Sequence, residues 1–290
     1  MRGFELDQLR TFTVVADSGS LSAAAPSLHL SQSTVSEQMR KLEVRAGVPL
    51  FVRSKRGIEL TPAATLLLER ARRIVALNEA AFDEMRGQAI KGELRVAITD
   101  YFRTHEVAGM LARLRECYPQ LSLHVSTMKS TEIEQAHAKG QLDLGVVMNL
   151  SAGPVRPAVP DPRWELRREQ LYWVCAPTLA DQLPDPLPLV LLPGDCLLHQ
   201  IAVHSLEAQR IRYALVHSAS GVAGLQSMLV AGLGVGCLSA SSIGDGLVRL
   251  GPKHRLPALP EAVFSLTPPL HGERDTVVQA RQVLARQLLV

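Results

Sequence analysis

The stretch that decides the fold is Ala23-Ala24-Ala25-Pro26-Ser27-Leu28-His29-Leu30-Ser31-Gln32-Ser33-Thr34-Val35-Ser36-Glu37-Gln38-Met39-Arg40-Lys41-Leu42-Glu43. Two helical patterns flank a polar break at Leu30–Ser33, whose serines are good cap formers. The upstream pattern, capped by Ser20 or Ser22, is short and carries Pro26, which lacks a backbone donor and kinks helices. The downstream pattern places Val35, Met39 and Leu42 on one face. It runs to about Ala46, and Gly47 is positioned for a left-handed cap. A first helix, about Leu6 to Ser18, precedes both, with Leu9, Phe12, Val15 and Ala16 on one side and Gly19 ending it.

Working outward, Leu50–Arg53 and Ile58–Leu60 flank a basic, Gly-containing tip and read as a β-hairpin. Between Arg40 and Arg56 there are six basic residues and one acid, Glu43. That local clustering is an electrostatic footprint for nucleic acid, which the whole-chain net charge of +3 would not show. Thr61 as cap and Pro62 in the first turn open a long helix to about Arg86. Its apolar seam, Leu67, Ala71, Ile74, Leu77, Ala81 and Met85, needs a partner, and the same helix of a second subunit would supply one.

After Lys91-Gly92 the texture changes to alternating strands and helices, from Glu93–Thr99 through Leu142–Met148. A Pro/Gly-rich stretch at 151–162 follows, and then a second similar unit to Ala262–Leu266 and a final helix, Asp275–Leu289. The alternation predicts a parallel, doubly wound α/β sheet in two lobes with a cleft between them. With 290 residues, 47% of them hydrophobic, the chain can bury real cores. No apolar run reaches the roughly eighteen residues of a membrane span, and the first residues lack the apolar core of a signal peptide, so the expected location is the cytoplasm without membrane contact. Cys117, Cys175, Cys196 and Cys237 are dispersed and form no CxxC pair, and the nine histidines are scattered, so neither a disulfide scaffold nor a metal site is expected.

The Ala23–Glu43 stretch resembles the helix-turn-helix of LysR-type transcriptional regulators. Gly47-Val48-Pro49-Leu50-Phe51-Val52-Arg53 and Leu60-Thr61-Pro62-Ala63 are similar to that family's wing and the start of its linker helix. Gly140-Gln141-Leu142-Asp143-Leu144 and Ala231-Gly232-Leu233-Gly234-Val235-Gly236 extend the likeness. Leu187–Leu192 and Leu256–Pro260 are similar to an LrhA/PecT-like branch. The resemblance implies an α/β protein with an N-terminal all-α winged helix-turn-helix and a two-lobed, periplasmic-binding-protein-like regulatory part. It implies a DNA-binding domain at 1–61, a linker and dimerisation helix at 62–90 and an effector-binding domain at 91–290, with lobe I about 91–162 and 266–290 and lobe II about 163–265. It further implies a homodimer or homotetramer, double-stranded DNA and a small-molecule effector as partners, RNA polymerase as a further partner, and no cofactor.

A recognition helix reads base edges with its N-terminal residues. Gln32, Ser33 and Glu37 are the base readers that the resemblance implies. Thr34, Arg40 and Lys41 share the polar face, and Gln suits adenine while Glu accepts from cytosine N4. Arg is common in the family where this chain has Glu37, so cytosine preference and weaker nonspecific binding are expected. Glu37 also reads as the far half of a cap with Thr34. Ser22, Ser36, Arg53, Lys55 and Arg56 are placed for phosphates, which position without reading sequence; Lys55 and Arg56 also read as a solvated hairpin tip.

Ligands of open α/β sheets bind beyond the carboxyl ends of strands. Those positions are Thr99, Asp100, Tyr101 and Phe102, then Thr127, Lys129 and Ser130, then Met148, then Ser218 and Ser220, with His199 as a further lining candidate. Ser130 and Ser220 precede helices and offer donors to an anion, or act as caps only. Asp100 argues against a purely anionic effector; it orients a hydroxyl or amine, or holds Lys129. Cys196 lies in a run similar to the reactive-cysteine region of peroxide-sensing members, but no second cysteine lies close by, and structural burial is the alternative.

An enzyme is the rival reading, yet GxSxG, HExxH and P-loop patterns are absent. Gly232-Leu233-Gly234-Val235-Gly236 lacks GxGxxG spacing and reads as a tight helix-to-strand turn. A transport-type binding protein would share the α/β half but not the first ninety or so residues.

Overall fold

A computed structural model describes residues 3–54, 57–85, 90–102, 104–151 and 161–288. It divides into two compact units, one built chiefly on Met1–Lys91 with Met110–Leu121, the other on Gly92–Gly109 and Ser122–Leu288.

In the first unit, α1 (Leu6–Ser18), α2 (Leu21–Ser27) and α3 (Gln32–Ala46) are followed by β1 (Phe51–Ser54), β2 (Gly57–Leu60) and α4 (Pro62–Met85). Leu9, Phe12 and Val15 of α1 meet Ala24 and Ala25 of α2 and Val35, Met39 and Leu42 of α3 in one core, with Leu50, Ala64 and Ala71 closing it. Phe12 meets Phe51 edge-on at 5.6 Å. Ser20 caps α2 by accepting from Ala23 N–H, and Pro26 lies within that helix. Gly19 and Gly47 both take the left-handed conformation that ends α1 and α3. The hairpin pairs Phe51 with Leu60 in antiparallel register. Thr61 accepts from Ala64 N–H, so it is the cap of α4, as its sequence predicts.

The apolar seam of α4 is partly covered within the chain. Its first half does have an adjoining core, because Ala64, Leu67, Leu68, Ala71 and Val75 pack on the three-helix cluster. Arg72 pairs with Asp17 of α1, and Arg10 reaches Glu79 at 3.4 Å. Leu66, Ile74, Leu77 and Met85 stay exposed, at 65%, 45%, 55% and 86%.

The second unit holds β3 (Gly92–Thr99), α5 (Thr104–Cys117, which continues into the first unit), β4 (Leu121–Met128), α6 (Ser130–Ala138) and β5 (Leu144–Leu150). After them come β6 (Glu165–Cys175), α7 (Pro177–Ala180), β7 (Leu187–Leu191), α8 (Leu197–Ala208), β8 (Tyr213–Ser218) and α9 (Val222–Val230). The chain closes with β9 (Gly236–Ser239), β10 (Val248–Arg249), β11 (Glu261–Leu266) and α10 (Asp275–Leu288). The main sheet has the order β10-β6-β11-β5-β3-β4, with β9 also on β6; β7 and β8 form a separate parallel pair.

The sheet is mixed rather than wholly parallel. β3 runs parallel to β5, but β11 lies antiparallel to both β5 and β6. The long strand β6 pairs with β11 over its first half and with β9 and β10 over its second. The Gly-rich run after α9 is a turn, as predicted. Gly232 has φ of 75°, and a side chain at Gly234 would meet Pro188 O at 2.7 Å. Val235 N–H donates to that same carbonyl at 2.8 Å. The glycines let the backbone press against β7 and leave no cradle for a phosphate.

Candidate functional site

On α3 the buried side is Val35, Met39 and Leu42, and Gln32, Ser33, Thr34, Ser36 and Arg40 are exposed opposite. Ser31 is the cap: its Oγ accepts from Thr34 N–H at 3.1 Å. The same Oγ lies 2.8 Å from both Ser33 Oγ and Thr34 Oγ1, giving a small hydroxyl cluster at the helix start. Glu37 is not the far half of a cap with Thr34. Its carboxylate is held bidentately by Arg40 at 2.8 and 2.9 Å, with Lys41 at 3.7 Å. One turn of helix brings these groups together, and a fork-to-carboxylate match is the strongest form of such a pair. The Arg40 bond, outweighing slight desolvation, holds the Glu37 carboxyl below its usual range.

Sequence reasoning missed Glu43. Its Oε1 accepts from Leu50 N–H at 2.7 Å and Phe51 N–H at 3.2 Å, fixing where the hairpin leaves α3. Ile58 N–H donates to Gly19 O at 3.2 Å, tying the hairpin to the turn between α1 and α2. The signal for Glu43 was its isolation as the one acid among six bases. Ser22 is exposed in the first turn of α2, and Arg53 lies on β1. Lys55 and Arg56 lie outside the described residues.

The second site is a cavity open to solvent. One wall is Asp100 and Tyr101 after β3, with Lys129, Ser130 and Thr131 at the start of α6; the other is Leu192, Pro193, Asp195, Cys196 and Leu197 before and in α8, with Ser220 before α9. Five of the residues read from sequence therefore meet here: Asp100, Tyr101, Lys129, Ser130 and Ser220.

Three contacts cross the cavity. Lys129 Nζ pairs with both Asp195 oxygens at 2.8 and 3.1 Å, so Asp100 does not hold Lys129. Tyr101 OH lies 2.7 Å from Cys196 Sγ. Asp100 Oδ2 accepts from Val222 N–H at 3.2 Å, at the start of α9. Burial raises the Asp100 carboxyl above its ordinary value, against the lowering effect of that backbone bond.

Other expected residues are elsewhere. Thr99 is buried; Ser130 Oγ is 3.4 Å from Thr99 Oγ1 and accepts from Met148 N–H at 2.9 Å. The Ser130 hydroxyl is thus spent inside the protein. Met148 is buried because β5 continues to Leu150, past the strand end read from sequence. Phe102 stacks edge-on against Phe264 at 5.1 Å, with the Arg167 guanidinium 4.5 Å from its ring. Thr127 and Ser218 are exposed at strand ends, and neither is on the cavity wall. His199 is turned away, its Nδ1 lying 2.7 Å from Leu192 O. The Cys196 thiol, at the start of α8, is pushed up by burial, which outweighs the Tyr101 bond and the α8 backbone donors. Among the described residues no three His, Cys, Asp or Glu side chains are grouped to hold a metal. No described helix is long and apolar enough to cross a membrane.

A helix-turn-helix unit joined to an α/β unit that carries an open pocket is the architecture of an effector-controlled DNA-binding regulator. Residues 6–65 match the bacterial regulatory helix-turn-helix proteins of the lysR family, and residues 87–286 match the LysR substrate binding domain. The chain belongs to the LysR family of transcriptional regulators, not to an enzyme family. It is 30% identical to the HTH-type transcriptional regulator PecT of Dickeya dadantii, covering 90% of this chain and 81% of that protein. It is 29% identical to the HTH-type transcriptional regulator DgdR of Burkholderia cepacia, covering 91% of this chain and 88% of that one. A cysteine mutant of Corynebacterium glutamicum OxyR shares the fold, with a TM-score of 0.50 and 24% identity over 98% of this chain and 92% of that one.

Proposed function

We propose that the chain works in the cytoplasm as a homodimer or homotetramer that reads double-stranded DNA with α3 and answers to a small molecule held in the cavity of its α/β part. The exposed face Gln32–Arg40, opposite a fully buried Val35–Met39–Leu42 face, is the observation that carries this reading. Gln32, Ser33 and Glu37 are assigned to bases, with Thr34 and Arg40 beside them. Ser22, Ser36, Arg53, Lys55 and Arg56 are assigned to phosphates. Because Glu37 engages Arg40, base reading by Glu37 requires that pair to open or to act as one unit.

Domain limits of 1–61, 62–90 and 91–290 fit this division of labour, with the two lobes supplying the two cavity walls. The exposed stripe Ile74, Leu77 and Met85 supports self-association through α4. RNA polymerase is the expected protein partner on DNA. The test is selection of genomic fragments by the purified protein, followed by footprinting. Paired half-sites spaced by whole helical turns support the reading. Absence of any enriched sequence at low salt overturns it.

A further inference from the structure

We infer that the effector carries a protonated amine on a small aliphatic body, and that a simple carboxylate is excluded. The inference rests on the reading of the cavity as the effector site.

Three charged side chains line the cavity among the described residues: Asp100, Asp195 and Lys129. Lys129 is already neutralised by both oxygens of Asp195, across the opening. What remains is one negative charge, on Asp100. Glu132, close enough to act on both Asp100 and Lys129, adds to that sign.

Several features that could hold an anion are in use by the protein itself. The start of α9 has its anion in Asp100, which accepts from Val222 N–H. At the start of α6, Glu132 Oε2 accepts from Lys129 N–H at 3.2 Å, and the Ser130 hydroxyl is bound internally. Tyr101 OH and the neutral Cys196 thiol face one another. A carboxylate entering here would meet a partly buried carboxylate with no spare cation. An ammonium would meet a partly buried charge of opposite sign, where attraction is less screened than in open water.

The rest of the wall is apolar, with Leu192, Pro193 and Leu197, which suits a small aliphatic body. A carboxylate on the same ligand is tolerated only as half of a zwitterion, whose own ammonium offsets its charge.

The test is calorimetric titration of the full-length protein with three probes that share an isopropyl group: isobutylamine, L-valine and isobutyrate. Saturable binding of isobutylamine or L-valine, with none of isobutyrate, is expected. Asp100→Asn keeps an acceptor for Val222 N–H and removes the charge; it should weaken the amines by about tenfold or more. Asp195→Asn, at an exposed side chain outside any core, frees Lys129 and should weaken the amines by a smaller factor. This second variant keeps the question open to test if the first folds poorly. Ser220→Trp should abolish all binding. Tighter binding of isobutyrate than of the amines, lost in Ser220→Trp, overturns the amine assignment and keeps the site. Amine binding untouched by Asp100→Asn and by Ser220→Trp overturns the site as well. No saturable binding of either amine at millimolar concentration overturns the inference.

Discussion

Arg281 is 1% exposed, and the Glu273 carboxylate that binds its guanidinium is 7% exposed. Removing one partner of such a pair leaves a buried charge, so Glu273→Ala should cost about 3–5 kcal/mol in urea unfolding. Burial alone would raise the Glu273 carboxyl, but bonds from Arg281 and from Leu270 N–H bring it below its usual value. Its folded value therefore lies under its unfolded one. Its share of stability is present above the ordinary carboxylate range and is lost as pH falls through the folded value.

His137 sits close to this pair, 3% exposed, with no hydrogen-bond partner for Nε2. Burial first, and the Arg281 charge second, lower its pKa; Glu273 and Asp143 oppose. The folded state prefers the neutral ring, so His137 contributes its stability above the ordinary imidazole value and costs stability as pH drops below it. His137→Leu should flatten the fall in melting temperature between roughly pH 7 and 5. An unchanged slope would assign the pH dependence to other groups. None of this was legible in the sequence: Arg281 reads as one more charge on an amphipathic helix, and nothing local announces that it is buried. Cys196 shows the converse. Its place at a helix start was legible, but the burial that reverses its acidity was not.

At the scale of elements, α1–α3 and the hairpin were legible because their signals are local: apolar spacing, capping serines and two glycines. The Glu37–Arg40 pair lies on one turn of α3, and it bears on how tightly DNA of any sequence is held. Glu37→Gln removes an acid and frees Arg40, so nonspecific DNA binding should tighten and the slope of log K against log salt should steepen by about one unit. Titrations at several salt concentrations measure this; an unchanged slope would mean Arg40 never reaches a phosphate. The strand pattern of the α/β part was legible, but its sheet direction was not. The antiparallel pairing of β11 with β5 and β6 joins segments far apart in the chain, and hydrophobic period carries no information on strand direction.

For the whole molecule, the exposed stripe on α4 is unspent apolar surface among the described residues of the first unit. Leu77→Glu, at a position 55% exposed in the single chain, should leave the fold intact and shift the mass seen by light scattering toward monomer. An unchanged mass would place self-association elsewhere. A linker helix with an apolar seam was legible from its spacing; how much of that seam the chain covers itself was not, because α1 ends at Ser18, forty-four residues before α4 begins at Pro62. The site was half legible for a similar reason. Strand ends named Asp100, Tyr101, Lys129, Ser130 and Ser220, but the opposing Asp195, Pro193 and Leu197 needed three dimensions.

The pairing of β6 with β11 has a practical reach. Gln170 is opposite Glu261, so the chain between them departs and returns at adjacent points. Leu192, Pro193, Asp195, Cys196, Leu197 and Ser220 all lie on that excursion, and the rest of the cavity wall does not. The excursion is a cassette. Transplanting it from a relative would exchange one wall of the cavity at two neighbouring seams, leaving the helix-turn-helix end of the chain as it was.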